Sequence, residues 1–200
     1  MGILGWLKGE LSFAYHRWNI LRAIRKRGWT ALYVDGEGTP FCYTIGLGRA
    51  VGCPEIFMSG LGHFYSNVVL GAAYRQLQSG ELVLADGIDW SADADVWPRL
   101  TWKAVHPSQI RADHLAALLC IRDYWGEPRD DLRVFQLVFP DEAGVMPWEE
   151  GYDWGRDPGQ NMLWLPYAEP SEERPRPLER RAGRKRPSRR AGSPGRARRS

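Results

Sequence analysis

The sequence predicts an α+β domain with a largely antiparallel sheet, about three helices and a disordered basic C-terminal tail. Short apolar segments of strand length alternate with longer segments of helical period. Two of the strands flank a turn-rich segment, as in a β-hairpin. After Leu178 the chain has almost no large apolar residue that could offset the entropy of ordering. We therefore expect a helix at residues 1–27, an α+β domain at 28–168 and a disordered tail at 169–200.

The N-terminal 27 residues have the spacing of an amphipathic helix. Cations at Arg25, Lys26 and Arg27 suit the negative end of a helix, and Gly28 can terminate it. This apolar stripe predicts a helix packed on the domain, although a basic helix lying on a membrane surface is the alternative. The stripe recurs every three or four residues: Leu4, Leu7, Leu11, Ala14, Trp18, Leu21 and Ile24.

The segments that follow are read in chain order from apolar runs and turn residues. Each strand is predicted from a short apolar run that ends at a turn, and each helix from apolar residues spaced three or four apart. The predicted strands are residues 29–34, 41–47, 55–59, 81–84, 101–105 and 134–139, and the predicted interior helices are residues 63–77 and 112–125.

The charge is divided unevenly along the chain. The whole sequence has 27 Lys and Arg and 24 Asp and Glu, and 12 of these basic and 4 of these acidic residues lie within residues 169–200. The body therefore has 15 basic and 20 acidic residues, whereas the tail is strongly cationic. Arginine contacts phosphate well, so the tail predicts non-specific nucleic-acid binding, with a merely solvated extension as the alternative. The candidate residues are Arg180, Arg181, Arg184, Lys185, Arg186, Arg189 and Arg190.

Several classes of protein are disfavoured by composition. Three cysteines without a CxxC pair argue against a disulfide framework and against structural zinc. No apolar run reaches the roughly 18 residues of a membrane span, and the N-terminal segment lacks the regions of a signal peptide. We expect a cytoplasmic protein without a transmembrane segment, a metal or a cofactor.

Candidate catalytic motifs are weak. Gly46, Gly48 and Gly52 do not have the spacing of a phosphate loop, and no Lys-Ser/Thr follows. The acidic loop at residues 86–95 lacks the central glycine and final glutamate of a calcium loop. The four histidines have no metal-ligand spacing, and nothing in the sequence indicates that Cys53 is activated.

Two ordered groups of segments resemble a known family. The first is Tyr-Thr-Ile-Gly-Leu at 43–47 followed by Pro-Glu-Ile-Phe-Met-Ser-Gly-Leu at 54–61. The second is Phe-Gln-Leu-Val-Phe-Pro-Asp at 135–141, followed by Pro-Trp-Glu at 147–149 and by Gln160. With Gly28-Trp29, they resemble the bacterial family called domain of unknown function 4262 over roughly residues 18–165. The family's histidine before Pro-Glu is Cys53 here, which removes any role that depends on that histidine.

The resemblance implies a compact α+β domain and no activity. The matching polar residues lie in apolar segments, so each needs a hydrogen-bonding partner, either within the protein or on a ligand. We expect Tyr43, Glu55, Gln136 and Trp148 to lie in one neighbourhood, with Glu149 beside them. Together they form the candidate site for an unknown small molecule or protein.

Three functions remain open on the sequence. The first is an uncharacterised soluble binding or regulatory module with a small-ligand pocket. The second is an enzyme with an unrecognised site built from Tyr43, Glu55, Gln136 and His106. The third is a nucleic-acid-associated protein that acts through its arginine-rich tail.

Overall fold

The computed structural model describes residues 3–36, 38–92, 99–155 and 159–168, and the side chains of residues 14 onward within these ranges. Its helices are α1 (Ile3–Arg27), α2 (Leu47–Val51), α3 (His63–Ser79) and α4 (Ala112–Trp125), with a 3-10 helix at Pro107–Gln109. Its strands are β1 (Thr30–Val34), β2 (Phe41–Ile45), β3 (Glu55–Ser59), β4 (Asp89–Trp90), β5 (Leu100–Ala104) and β6 (Val134–Val138).

The strands form one six-stranded sheet in the order β1-β2-β3-β6-β5-β4. All neighbouring pairs are antiparallel except β3 and β6, which run parallel. The predicted α+β class with a largely antiparallel sheet is therefore confirmed. The helices are the three predicted ones and the five-residue α2, which begins at the turn after β2.

Helices cover both faces of the sheet. On one face, apolar residues of α3 such as Val69 and Ala73 pack on Ile56 and Trp102. On the other face, α4 contributes Leu115 and Leu118, and Ile20, Leu21 and Ile24 of α1 pack beside them. The alternating side chains of β1, β2, β3 and β6 contribute to both cores, whereas β5 gives Leu100 and Trp102 to the α3 side only.

One predicted strand is wrong. Residues 81–84 form a loop, because Gly80 adopts a left-handed conformation at the end of α3 and the Leu82 N–H bonds back to the Gln76 carbonyl at 3.1 Å. This turn directs Leu82 into the core without placing it in the sheet. The strand next to β5 at this end of the sheet is the two-residue strand β4, which lies within the segment predicted to be an acidic loop.

No helix among the described residues is both long enough and apolar enough to cross a membrane. The predicted disordered tail, residues 169–200, lies outside the described residues.

Candidate functional site

Glu55 is the most deeply buried acidic side chain among the predicted site residues. It begins β3 and is only 5% exposed. Its carboxylate accepts hydrogen bonds from the Thr44 hydroxyl at 2.6 Å and from the Gly46 N–H at 2.8 Å. The Thr44 hydroxyl oxygen in turn accepts the Ile56 N–H at 2.8 Å. Glu55 and Thr44 thus connect β2 to β3 just beyond the last backbone pair of the two strands, Tyr43 with Phe57.

The turn at Gly46 is what brings backbone donors to this carboxylate. Gly46 has φ 103°, a left-handed conformation that favours glycine. A Cβ atom there would lie 3.0 Å from the Gly28 carbonyl oxygen, so the close approach also requires glycine. Because α2 begins directly after Gly46, the Glu55 carboxylate lies at the amino end of that helix, where N–H groups need an acceptor.

The electrostatics of Glu55 combine two opposing effects. Burial raises the pKa of its carboxyl above the ordinary value, and hydrogen bonds from the Thr44 hydroxyl and from the N–H groups of Gly46, Leu47 and Gly48 act in the opposite direction. Burial is the larger effect. A carboxyl surrounded by so many protein donors has a clear structural role in holding the β2–α2 turn against β3.

Tyr43 and Gln136 lie in one row across the sheet, separated by Phe57. With strands about 4.8 Å apart, their backbones are roughly 10 Å from each other. The Tyr43 hydroxyl oxygen accepts the Ala117 N–H of α4 at 3.3 Å. Burial raises the pKa of Tyr43 to about 12, against smaller opposing effects from the N–H groups of Ala117 and Leu118. The phenol is therefore neutral at ordinary pH.

Gln136 holds an irregular segment on the sheet. This segment, residues 159–167, is called the C-terminal strap below. The fully buried Gln136 amide donates to the Asn161 carbonyl at 2.5 Å and accepts the Leu163 N–H at 2.9 Å. The Ser59 hydroxyl accepts the Asn161 N–H at 2.8 Å. Gln160 makes the reverse contact, from the strap to the sheet side, because its amide accepts the Phe139 N–H and donates to the Phe139 carbonyl.

Trp148 and Glu149 lie nearer the surface. Trp148 is 43% exposed, its ring is 5.4 Å from the Lys103 ammonium, and it meets Trp164 of the strap edge-on at 5.9 Å. Glu149 accepts the Met146 N–H at 2.9 Å and forms a 2.9 Å ion pair with Arg99. The pKa of Glu149 is lowered mainly by the Met146 N–H and then by Arg99.

The predicted neighbourhood is thus brought together in part. Tyr43 and Gln136 lie in the same row of the sheet, on either side of Phe57. Trp148 contacts Lys103, which is the neighbour of Gln136 in that row. Glu55 lies on the same strand as Phe57, two residues before it. The hydrogen bonds described for Tyr43, Glu55, Gln136 and Glu149 are all made within the protein. The clefts of about 420, 210 and 360 Å³ at the described surface are lined by other residues. A ligand contact for these five residues stays a prediction.

Cys53 and His106, considered as candidate catalytic groups, also have structural surroundings. The Cys53 thiol is 3.5 Å from the Val51 carbonyl, and burial raises its pKa, which disfavours the thiolate. His106 caps the 3-10 helix, since its Nδ1 accepts the Ser108 N–H at 3.2 Å. No cluster of three or more metal-ligating side chains occurs among the residues that the structure describes.

A groove that sequence reasoning missed lies between β1 and α3. It is a cleft of about 420 Å³ lined by Arg27, Trp29, Thr30, Ala31, Asn67 and Tyr74. The rings of Trp29 and Tyr74 are 4.9 Å apart and form an aromatic wall. We call this cleft the β1–α3 groove. The only sequence signal was the Gly28-Trp29 pair, which indicated a helix end and not a surface.

Two further features of the groove are polar. Arg27 donates to the Thr30 hydroxyl at 3.3 Å and has no acidic partner within the described part of the chain. The Asn67 amide nitrogen donates to the His63 carbonyl at 2.9 Å, so the amide oxygen is turned away from that carbonyl. The groove thus combines a cation, an amide and an aromatic wall beside a strand at the end of the sheet.

In the comparison with protein families, residues 23–153 match the family described as Domain of unknown function (DUF4262). Searches of curated proteins and of solved structures give no match. The candidate nucleic-acid residues from Arg180 to Arg190 lie outside the described residues.

Proposed function

The chain belongs to the DUF4262 family, and we propose that it is a non-catalytic binding module that takes up an extended protein segment along the edge strand β1. The observation that carries this proposal is the β1–α3 groove beside a strand that, within the described part of the chain, has a sheet neighbour on one side only. An added strand would obtain its hydrogen bonds from the β1 backbone, and the groove would select among side chains.

The sheet order supports this mode of binding. β1 pairs with β2 alone among the described residues, so its outer N–H and C=O groups face away from the sheet. Its sequence, Thr-Ala-Leu-Tyr-Val, has neither the proline nor the lysine that commonly blocks an edge. Such an edge serves readily as a template for another strand.

The groove supplies side-chain selection. Arg27 is oriented by Thr30 and is suited to a carboxylate, either of an acidic residue or of a chain end. The wall formed by Trp29 and Tyr74 is suited to an apolar or aromatic side chain. The favoured ligand is thus an extended peptide with an apolar residue near an acidic group.

The first prediction concerns selected peptides. Panning the full chain against a random eight-residue phage library should enrich peptides that pair an apolar residue with an acidic one. Titration of the best synthetic peptide should shift the backbone amide resonances of residues 29–34 and of α3 in two-dimensional NMR. Methylation of two alternate peptide nitrogens should abolish binding, because it removes donors that the β1 edge requires.

A pair of variants tests the cation. Arg27→Glu should lower the affinity for the selected peptide on the order of tenfold or more, since a hydrogen bond to a charged group contributes about 1.5–3 kcal/mol. The control is Arg133→Glu, which reverses an exposed arginine outside the groove. Resonance shifts confined to another surface, or equal affinities of the two variants, would contradict the proposal.

The tail favours a second candidate function. Residues 180–200 contain ten basic residues and no acidic one. If about five phosphates are engaged, log K against log salt on duplex DNA should have a slope of about −4.5, with little sequence preference. Fluorescence anisotropy of the full chain and of a chain ending at Ala168 checks this. Salt-independent affinity, or unchanged affinity after truncation, would rule out electrostatic binding of DNA by the tail.

A further inference from the structure

We propose that the strand that adds to β1 is β1 of a second copy of this chain, which gives a symmetric dimer with one continuous sheet. This inference rests on the proposed function and identifies its partner. Three features of the described residues lead to it: the charges at the two ends of β1, the apolar character of the strand, and the exposed apolar side chains of α3 beside it.

The charges around β1 are self-complementary in one direction only. Arg25, Lys26 and Arg27 end α1 two residues before the strand begins, and the exposed Asp35 directly follows the strand. Two antiparallel copies place the basic end of each strand near the acidic end of the other, twice by symmetry. Parallel copies would place like charges together. Antiparallel pairing of a strand with itself is the arrangement that a two-fold axis generates.

Both faces of β1 can continue a core across such an interface. Ala31 and Tyr33 face the α3 side of the sheet, and Leu32 and Val34 face the side of α1 and α4. All four are half-buried, so each retains apolar surface that a neighbouring strand would cover. An unblocked apolar edge is a hazard in a monomer, and pairing with a second copy removes it.

Helix α3 supplies the second contact surface. Phe64 is 72% exposed and Val68 is 49% exposed, both on the helix that forms one wall of the β1–α3 groove. A two-fold axis through paired β1 strands brings the two α3 helices side by side on the same face of the sheet. Large exposed apolar side chains at that position are then buried against the partner helix.

Gly71 allows the helices to approach. It lies four residues after Asn67 and seven after Phe64, so these three residues share one side of α3. A Cβ atom at Gly71 would contact only the flexible end of Arg75, at 3.6 Å. A larger residue at position 71 therefore fits the single chain but would hold a neighbouring helix away.

The dimer can be tested with the full chain. Sedimentation velocity from about 1 μM to 1 mM should give a species of twice the 22.8 kDa chain mass that dissociates on dilution. Phe64→Glu with Val68→Glu should shift the chain to monomer while the circular dichroism spectrum and melting temperature are retained, because both side chains are exposed. The matched control is Val83→Glu, since Val83 is 74% exposed on a different segment.

A charge exchange tests the orientation. Arg27→Glu and Asp35→Arg should each weaken dimerisation on the order of tenfold, because each turns two attractions into repulsions. The double variant R27E/D35R should recover most of the wild-type affinity, which loss of folding could not explain. Gly71→Leu should weaken the dimer and leave the monomer folded.

Several outcomes would overturn the inference. A chain that is monomeric up to 1 mM, a dimer unaffected by the Phe64 and Val68 changes, or a double charge variant weaker than both single ones would each do so. If the chain is monomeric and selected peptides still shift the β1 resonances, the proposed function stands and only the second copy is rejected. If neither copies nor peptides perturb β1, both proposals fail.

Discussion

Replacing Glu55 with alanine is expected to lower the free energy of unfolding by about 2–6 kcal/mol. The change leaves the Thr44 hydroxyl and the Gly46 N–H without their acceptor in a buried site, and each unsatisfied donor costs about 1–3 kcal/mol. The β2–α2 turn would lose the contact that holds it against β3. Urea denaturation at pH 7, followed by tryptophan fluorescence, measures the loss.

Two controls separate the hydrogen bonds from other effects. Glu55→Gln keeps one amide oxygen for these donors and should cost less than alanine. Glu81→Ala removes an exposed glutamate and should change the free energy of unfolding by no more than about 0.5 kcal/mol. Equal effects of alanine at positions 55 and 81 would refute a structural role for the buried carboxylate.

The pH dependence of the stability difference between wild type and Glu55→Gln tests how burial changes the pKa of the Glu55 carboxyl. Burial raises the folded-state pKa of Glu55 above its ordinary value of 4.5. A group of this kind contributes its full stabilisation below the ordinary pKa and loses it as pH rises through the raised pKa. The stability advantage of wild type over Glu55→Gln should therefore decrease from pH 4 upward. An advantage that grows with pH would show that the backbone donors lower the pKa of this carboxyl.

Helices and central strands were predictable because their signals are local. The predicted 112–125 helix has the observed ends, since Gly126 adopts the left-handed conformation that terminates α4. The strand predicted at 55–59 also matches, because its apolar centre at 56–58 follows a Gly/Pro break. In these segments, the spacing of apolar residues and the turn residues at the ends agree with the tertiary environment.

The errors fall where tertiary contacts decide the local structure. Leu82 and Leu84 have the apolar character of a strand, yet both contribute to the core from a loop. Helix α2 is flanked by Gly46 and Gly52, contains Gly48 and has only five residues, so it has no periodic signal. Asp89 disfavours a strand by propensity, but the Thr101 hydroxyl donates to its carboxylate at 2.5 Å and holds it beside β5.

The candidate site shows the same limit. The need of Glu55 and Gln136 for partners followed from their apolar surroundings, but the identity of those partners did not. The partner of Gln136 is a strap 25 residues later, and its path over the sheet depends on the strand order. The β1–α3 groove likewise exists because β1 is at the sheet end and α3 lies beside it. No spacing along the chain encodes that proximity.

Replacing Gln136 with leucine is expected to release the C-terminal strap and to lower the free energy of unfolding by about 2–4 kcal/mol. Leucine nearly fills the volume but cannot pair with the Asn161 carbonyl or the Leu163 N–H, so both groups would be unsatisfied unless the strap detaches and exposes them to water. Amide hydrogen exchange of residues 159–167 should increase sharply, whereas that of β3 and β6 should change little, because the sheet ladder between them does not involve side chains.

The comparison that isolates the buried amide is Gln109→Leu. Gln109 also reaches the strap, donating to the Leu165 carbonyl at 3.1 Å, but this bond is exposed and water can replace it. Its loss should cost well under 1 kcal/mol and leave the exchange of residues 159–163 unchanged. If the two leucine variants behaved alike, burial of the Gln136 amide would not be what fixes the strap. If Gln136→Leu were as stable as wild type, the polar motif residue would be free for the ligand contact that the sequence predicted.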